Sequence, residues 1–306
     1  MEKKQLPKRI KNLLNEIYRI TGEKRFIVYG GVPIDILLNK NPKINDLDIA
    51  IKGIFNYKIA KCRERIKKAG FEITEPFRKY FIYLNEKVIL IYANKGGMNI
   101  DVGFLKRLDL IGQFNIETLY FRYPQFDYVD KFNALNSLKK KTISLVRKKK
   151  ENPYILLRRF LHLCSKYDIP LIKRVHKKIL LRIKDNINKW NLNNKYSQQA
   201  YTICISSLLK DILTAKNKIR FIRELIKLKI IEIIFPEFRT LNMKEEKELF
   251  KNLIKSKSKT DIAKKIIKYI DKKRRNKFQN KIRTLKMRRW DQQDVRCAEY
   301  FYNTKN

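Results

Sequence analysis

The hydrophobic period of this chain changes once, and the change divides it into a strand-rich part followed by a helical part. Through roughly the first 110 residues, helical and alternating segments follow one another. "PKRIKNLLNEIYRIT" (Pro7–Thr21) spaces its apolar residues for a helix, with Gly22 as its stop. "RFIVYGG" reads as a short buried strand ending in a glycine turn, "PIDILLN" as a helical turn or two, and "LDIAI" as a strand. "YKIAKCRERIKKAG" is an amphipathic helix closed by Gly70. "YFIYLNEKVILIYANKGGMNIDVGFL" reads as a strand, an Asn/Glu turn, a second strand, an "NKGG" loop and a third strand. From about Lys139 a helical period takes over and runs to the C-terminus, with turn signals only at "YDIP", "NLNNK" and "FPEF". The expected fold is α+β: a small head with a mixed or antiparallel sheet over residues 1–138, a helical neck and body over 139–238, and a basic helical tail over 239–306.

Charge points to a class of partner. Lys and Arg number 72 against 30 Asp and Glu, a formal net charge of +42. Repulsion on that scale destabilises a compact chain, so a polyanion is the natural partner. A low-GC coding bias raises Lys, Ile and Asn and fits a viral or phage source, but Arg is also frequent and Glu is not raised to match. The most basic stretch, "DKKRRNKFQNKIRTLKMRRWDQQ", sets Phe278 and Trp290 among cations. Lys273, Arg274, Arg275, Arg288 and Arg289 are therefore candidate RNA-backbone contacts; the alternative is a solvated helix face with Trp290 as a core anchor. Four widely spaced cysteines and two histidines exclude a zinc site of ordinary spacing and point to a reducing compartment. The N-terminus is polar and no apolar run reaches the ~20 residues of a membrane span, so a soluble cytoplasmic protein is expected. Nothing in the chain sets an oligomeric state.

Chemistry concentrates between Phe26 and Ile51. On a strand, Asp46 and Asp48 point the same way while Leu47 points into the core. Two carboxylates held that close need a counter-charge, and divalent metal ions of the kind used in phosphoryl transfer supply it. Asp101, in "MNIDVGFL", is a third acid on a probable neighbouring strand. Ahead of the pair, Gly30-Gly31 stands between a strand and a helix. There a phosphate can approach backbone N–H groups and the positive end of the helix. The bland alternative makes Asp46 a turn residue, Asp48 half of a salt bridge and the glycines a simple turn.

The order "GG…D…LL…DLDIAI…IDVGF" resembles the polymerase-β-type nucleotidyltransferases, and more narrowly the class II branch of tRNA CCA-adding enzymes and bacterial poly(A) polymerases. Gly30, Gly31, Asp35, Asp46 and Asp48 match that family's Gly-Gly-x-x-Arg-Asp and Asp-x-Asp. "FNIETLYF", "VDKFNALNSLKKKTISLV", "ENPYILLRRF" and "LKIIEIIFPEF" resemble its later elements in the same order, over residues 24–238. The resemblance implies a nucleotidyltransferase head and an RNA- and nucleotide-binding helical body. It implies two Mg²⁺ or Mn²⁺ ions on Asp46, Asp48 and Asp101, and an NTP, with ATP favoured, held by Gly30, Gly31, Glu151, Asn152 and Arg158. The implied activity is addition of nucleotides to the 3′ end of a tRNA or mRNA.

Several positions depart from the family pattern. Ile34 replaces the arginine that holds the triphosphate, and Gly112-Gln113 replaces the Arg-Asp before "FTINAL". Of the base-reading Glu-Asp-x-x-Arg, only Glu151 is kept; Asn152 still donates and accepts hydrogen bonds, whereas Ile155 does neither. The resemblance thus implies preserved chemistry with rebuilt nucleotide selection, poly(A)-like before CCA-like. Lys106, Arg107 and Arg159 are candidates to replace the lost cations. Two other classes stay open: a catalytically inactive RNA-binding relative, and nucleotidyl transfer to a protein or small molecule.

Overall fold

The expected alternation of strands and helices yields one sheet with its core built from both faces. The computed structural model describes residues 8–23, 25–39, 42–53, 56–74, 80–83, 86–105, 112–146, 152–189, 195–235, 238 and 240–270. Their first elements are α1 (Lys8–Thr21), β1 (Phe26–Tyr29), α2 (Gly31–Leu38), β2 (Asp46–Lys52), α3 (Asn56–Lys68), β3 (Glu72–Thr74), β4 (Tyr80–Tyr83), β5 (Glu86–Lys95) and β6 (Met98–Leu105). Two short strands that the periodicity did not announce, β7 (Tyr120–Tyr123) and β8 (Asp127–Val129), follow a single 3-10 turn. The sheet order is β3-β5-β6-β2-β1-β7-β8, with β4 also paired to β5. β2 and β6 run parallel, and every other pair is antiparallel.

The apolar rows of the sequence explain this packing. Ile10, Leu14 and Ile17 of α1 and Ile59, Cys62 and Ile66 of α3 meet Leu47, Ile49 and Ile51 of β2 in one core. Ala50, on the opposite face of β2, packs with Ile27 and Leu105. β2 is therefore buried on both sides beyond Asp48, the pattern of a central strand. In β7, Tyr123 stacks on Phe26 of β1, ring centroids 4.5 Å apart.

The chain forms two compact units: Met1–Ser137 with Leu145–Lys149, and Leu138–Ser144 with Lys150–Asn306. After α4 (Ala134–Lys139) the second unit contains α5 (Pro153–Lys166), α6 (Arg174–Asn188), α7 (Lys195–Thr214), α8 (Lys218–Lys227), α9 (Ile230–Ile234), α10 (Met243–Ile254) and α11 (Lys259–Ile267). Leu157, Phe160 and Leu161 of α5 and Cys204, Leu208 and Ile212 of α7 are all buried. Tyr154 meets Tyr201 edge-on across the same seam at 5.0 Å. α10 packs on α8 and α11 on α7, so residues 243–267 belong to this helical unit. No helix among the described residues is long and apolar enough to cross a membrane.

The three described cysteines, Cys62, Cys164 and Cys204, are free and buried. Burial pushes the thiols of Cys62 and Cys204 up to about 12, which keeps them protonated and unreactive.

His176 of α6 is fully buried and uses both ring nitrogens. Nε2 accepts the Ile143 N–H at 2.8 Å, so Nδ1 carries the proton and donates to the Pro170 carbonyl. Burial lowers its pKa below 6.5. Protons then bind the unfolded chain in preference, so this contribution to stability is complete above pH 6.5 and is lost as pH falls below it. Denaturant titrations between pH 7.5 and 5 are expected to show that loss. His176→Phe removes the His176 component of the pH slope and costs about 1–3 kcal/mol at pH 7.5, because the Ile143 N–H stays buried without an acceptor.

Candidate active site

The site is built where β1 hands over to α2. Gly30 makes that turn at φ 74°, ψ −137°, a region closed to L side chains. A Cβ placed there would lie 2.1 Å from Oδ2 of Asp48. Glycine is required twice over, by the backbone and by the carboxylate beside it. That closeness follows from sheet register, since Tyr29, just before Gly30, is the antiparallel partner of Asp48.

Gly30 and Gly31 hold different positions. Gly30 is the residue before α2 and Gly31 is the first helical residue. No side chain caps this helix start and its first turn carries no acid. Its N–H groups have no partner within the helix, so the positive end of α2 stands beside the Asp48 carboxylate.

Asp48 has a second neighbour. It is the register partner of Asp101 across the parallel pair β2–β6, while Asp46 lies opposite Asn99. Asp46 is exposed, Asp48 and Asp101 are half-buried, and Leu47 between the two acids of β2 is fully buried. The Asp101 carboxyl is pushed up to about 8, first by burial and then by the charges of Asp48 and Asp46. All three acids thus share one electrostatic field. Tyr92 of β5 is the antiparallel partner of Asp101. Its phenol is raised by burial and by Asp101 and Asp48, so it stays neutral against the acids. Sequence reasoning missed Tyr29 and Tyr92. The signal for Tyr92 was present, because the two-residue Gly96-Gly97 turn, with φ 56° and 79°, fixes the β5–β6 register.

Among the described residues, no group of three His, Cys, Asp or Glu is placed to hold a metal ion. The donor chemistry still fits Mg²⁺ or Mn²⁺: the acids offer oxygens alone, and their mutual repulsion favours a hard divalent cation.

The described positions where the sequence departs from the family pattern have structural roles of their own. Ile34, where the resemblance places a triphosphate-binding arginine, is 1% exposed and part of the core. Gly112 has φ 85°, and a Cβ there would come within 2.8 Å of the Glu117 backbone. The Glu117 carboxylate accepts the N–H groups of Gln113 and Phe114 at 3.0 and 3.2 Å. The Gly112-Gln113 departure is therefore occupied in building a turn. Phe114, Ile116, Leu119 and Phe121 of "FNIETLYF" are core.

Asn152 and Arg158 belong to the second unit. Asn152 caps α5, its Oδ1 accepting the Tyr154 N–H at 3.0 Å, and its Nδ2 is buried without a hydrogen-bond partner. Arg158 and Arg159 are half-buried on α5. Glu151, Lys106, Arg107, Lys273, Arg274, Arg275, Arg288 and Arg289 lie outside the described residues.

No family model matches the sequence, and no curated protein matches it. Among solved structures, a CCA-adding enzyme in complex with CTP superposes with a TM-score of 0.64 at 16% identity, over 96% of this chain and 70% of that one. The chain therefore has the fold of a CCA-adding enzyme, an α+β head followed by a helical body.

Proposed function

We propose that this protein is an RNA 3′-end nucleotidyltransferase that adds nucleotides from an NTP to an RNA 3′-hydroxyl. One observation carries the reading: the Asp48 carboxylate is held against the Gly30 turn at the start of α2 and paired in register with Asp101. Likeness to the fold of a CCA-adding enzyme bound to CTP supports it.

Asp46, Asp48 and Asp101 would hold Mg²⁺ or Mn²⁺, which when bound neutralises charge building on the triphosphate. The Gly30-Gly31 turn and the N-terminal amides of α2 bind and orient the triphosphate. The RNA 3′-hydroxyl gives up its proton to water as its oxygen attacks the α-phosphorus in line, the bond to pyrophosphate breaks, and pyrophosphate leaves with the electron pair. Asp101 lies on the Asp48 side of the sheet to orient that hydroxyl. Positioning and charge neutralisation supply most of the rate.

In this reading residues 1–138 are the catalytic head, 139–238 hold nucleotide and RNA, and the 239–306 tail adds backbone contacts through Lys273, Arg274, Arg275, Arg288 and Arg289. Glu151, Asn152 and Arg158 would be the nucleotide-binding residues of that part. The buried Ile34 and the cap at Asn152 favour non-templated addition, ATP first, over CCA synthesis. Ile34 also favours an RNA-binding protein without catalysis, but three acids kept together at mutual cost oppose that alternative.

The test is incubation of the purified protein with each labelled NTP, Mg²⁺ or Mn²⁺, and a mixture of tRNA and generic RNA. Metal-dependent label at RNA 3′ ends is expected. RNA binding without incorporation under any metal or NTP would sink the reading, and label on protein would favour transfer to a protein acceptor.

A further inference from the structure

We propose that the outward face of α6 is a docking surface for the phosphodiester backbone of the RNA. The inference rests on the RNA substrate proposed above and names the surface that grips it.

α6 buries one face and exposes the other, where Leu181 is also exposed. His176, Ile179, Leu180, Ile183 and Ile187 are buried. The opposite face exposes Arg174, Lys177, Lys178 and Lys184. Among the described residues none of these four has an ion-pair partner, and the ten steps from Arg174 to Lys184 cover about 15 Å of helix. Arg174 stands three and four residues before Lys177 and Lys178, the spacings at which like charges on a helix repel. Asp185 is the only acid in α6 and does not lie at either spacing from the four.

Other helices of the same unit carry their charge differently. α10 mixes lysine with glutamate in "MKEEKELFKNLI", and its Glu248 pairs with Lys268 at 2.9 Å. In α11, Lys265 pairs with Asp261 at 2.9 Å. Solubility alone is served by such mixed surfaces; an unpaired cationic face fits a polyanion.

The N-terminal end of α6 is firmly anchored. Lys173 Nζ donates to the Lys140 carbonyl, and Ile143 N–H donates to His176. These bonds hold the 138–144 segment, with its exposed Lys140, against the start of the helix. A cationic surface on an anchored helix tracks a phosphate backbone with no need for base contacts.

Fluorescence anisotropy with a labelled RNA hairpin bearing a single-stranded 3′ tail, titrated with KCl, decides the matter. The variant R174Q/K177Q/K178Q/K184Q is expected to bind at least about tenfold more weakly at low salt. Its slope of log K against log salt should be shallower by about 3, from ~0.7 per phosphate contact. With RNA saturating, its kcat should equal wild type while KM for RNA rises. K177Q/K178Q should show about half the slope change and decides the question if the fourfold variant misfolds. Equal slopes for variant and wild type, with wild type binding RNA, overturn the α6 assignment and leave the RNA substrate standing. A wild-type protein with no RNA affinity at 50 mM salt overturns both.

Discussion

Gly30→Ala is expected to cost about 2–4 kcal/mol of stability and to abolish nucleotide incorporation. Two terms add. An L residue at φ 74°, ψ −137° is strained wherever its side chain points. The new Cβ would also sit 2.1 Å from Asp48 Oδ2, so β2 or α2 must shift. The terms separate in a double-mutant cycle. In an Asp48→Ala background only the backbone strain remains, so Gly30→Ala should cost about 1 kcal/mol less there. Denaturant melts of the four proteins measure the coupling. Purely additive costs would show that the carboxylate does not abut the turn.

Asp48→Asn is expected to lower incorporation by about 10³-fold or more, some 4 kcal/mol of barrier, while the protein stays folded. Asp48 is one of the charges that raise the Asp101 carboxyl to about 8. Neutralising it should lower the Asp101 pKa towards the usual carboxylate range, an effect that carbon-detected NMR titration reads directly. Activity loss together with the pKa drop is the joint signature. Loss of activity with an unmoved Asp101 would mean that the two acids are not electrostatic neighbours.

Much of the head was legible because its signals are local. The helix from Lys8, the turn at Gly30 and the strands at Phe26, Asp46 and Met98 each follow from a short period with glycine or proline punctuation. The parallel pairing of β2 with β6 was less legible. Some 50 residues separate Asp48 from Asp101, and only tertiary packing fixes a register over such a distance. Tyr92 fell between these cases. A two-glycine hairpin sets its place opposite Asp101 by counting residues, but only once β6 is known to carry the third acid. β7 and β8 lacked a long enough alternation to announce themselves, and they form by adding to the free side of β1. At Ile34 and Gly112 the sequence showed what was missing, whereas burial and the Glu117 turn show what those residues do instead.

The chain crosses between its two units more than once. Leaving the first at Ser137, it lends Leu138–Ser144 to the second and returns for Leu145–Lys149. On the return, Leu145 bridges Phe114 and the Val146 N–H donates to the Gln113 carbonyl. Just before it, within Leu138–Ser144, the Ile143 N–H donates to His176 of the same helical unit. The boundary between the two units therefore cannot be drawn as a single cut in the sequence. A recombination joint at residue 138 would carry Leu145 and Val146 away with the body and strip the head of both rungs.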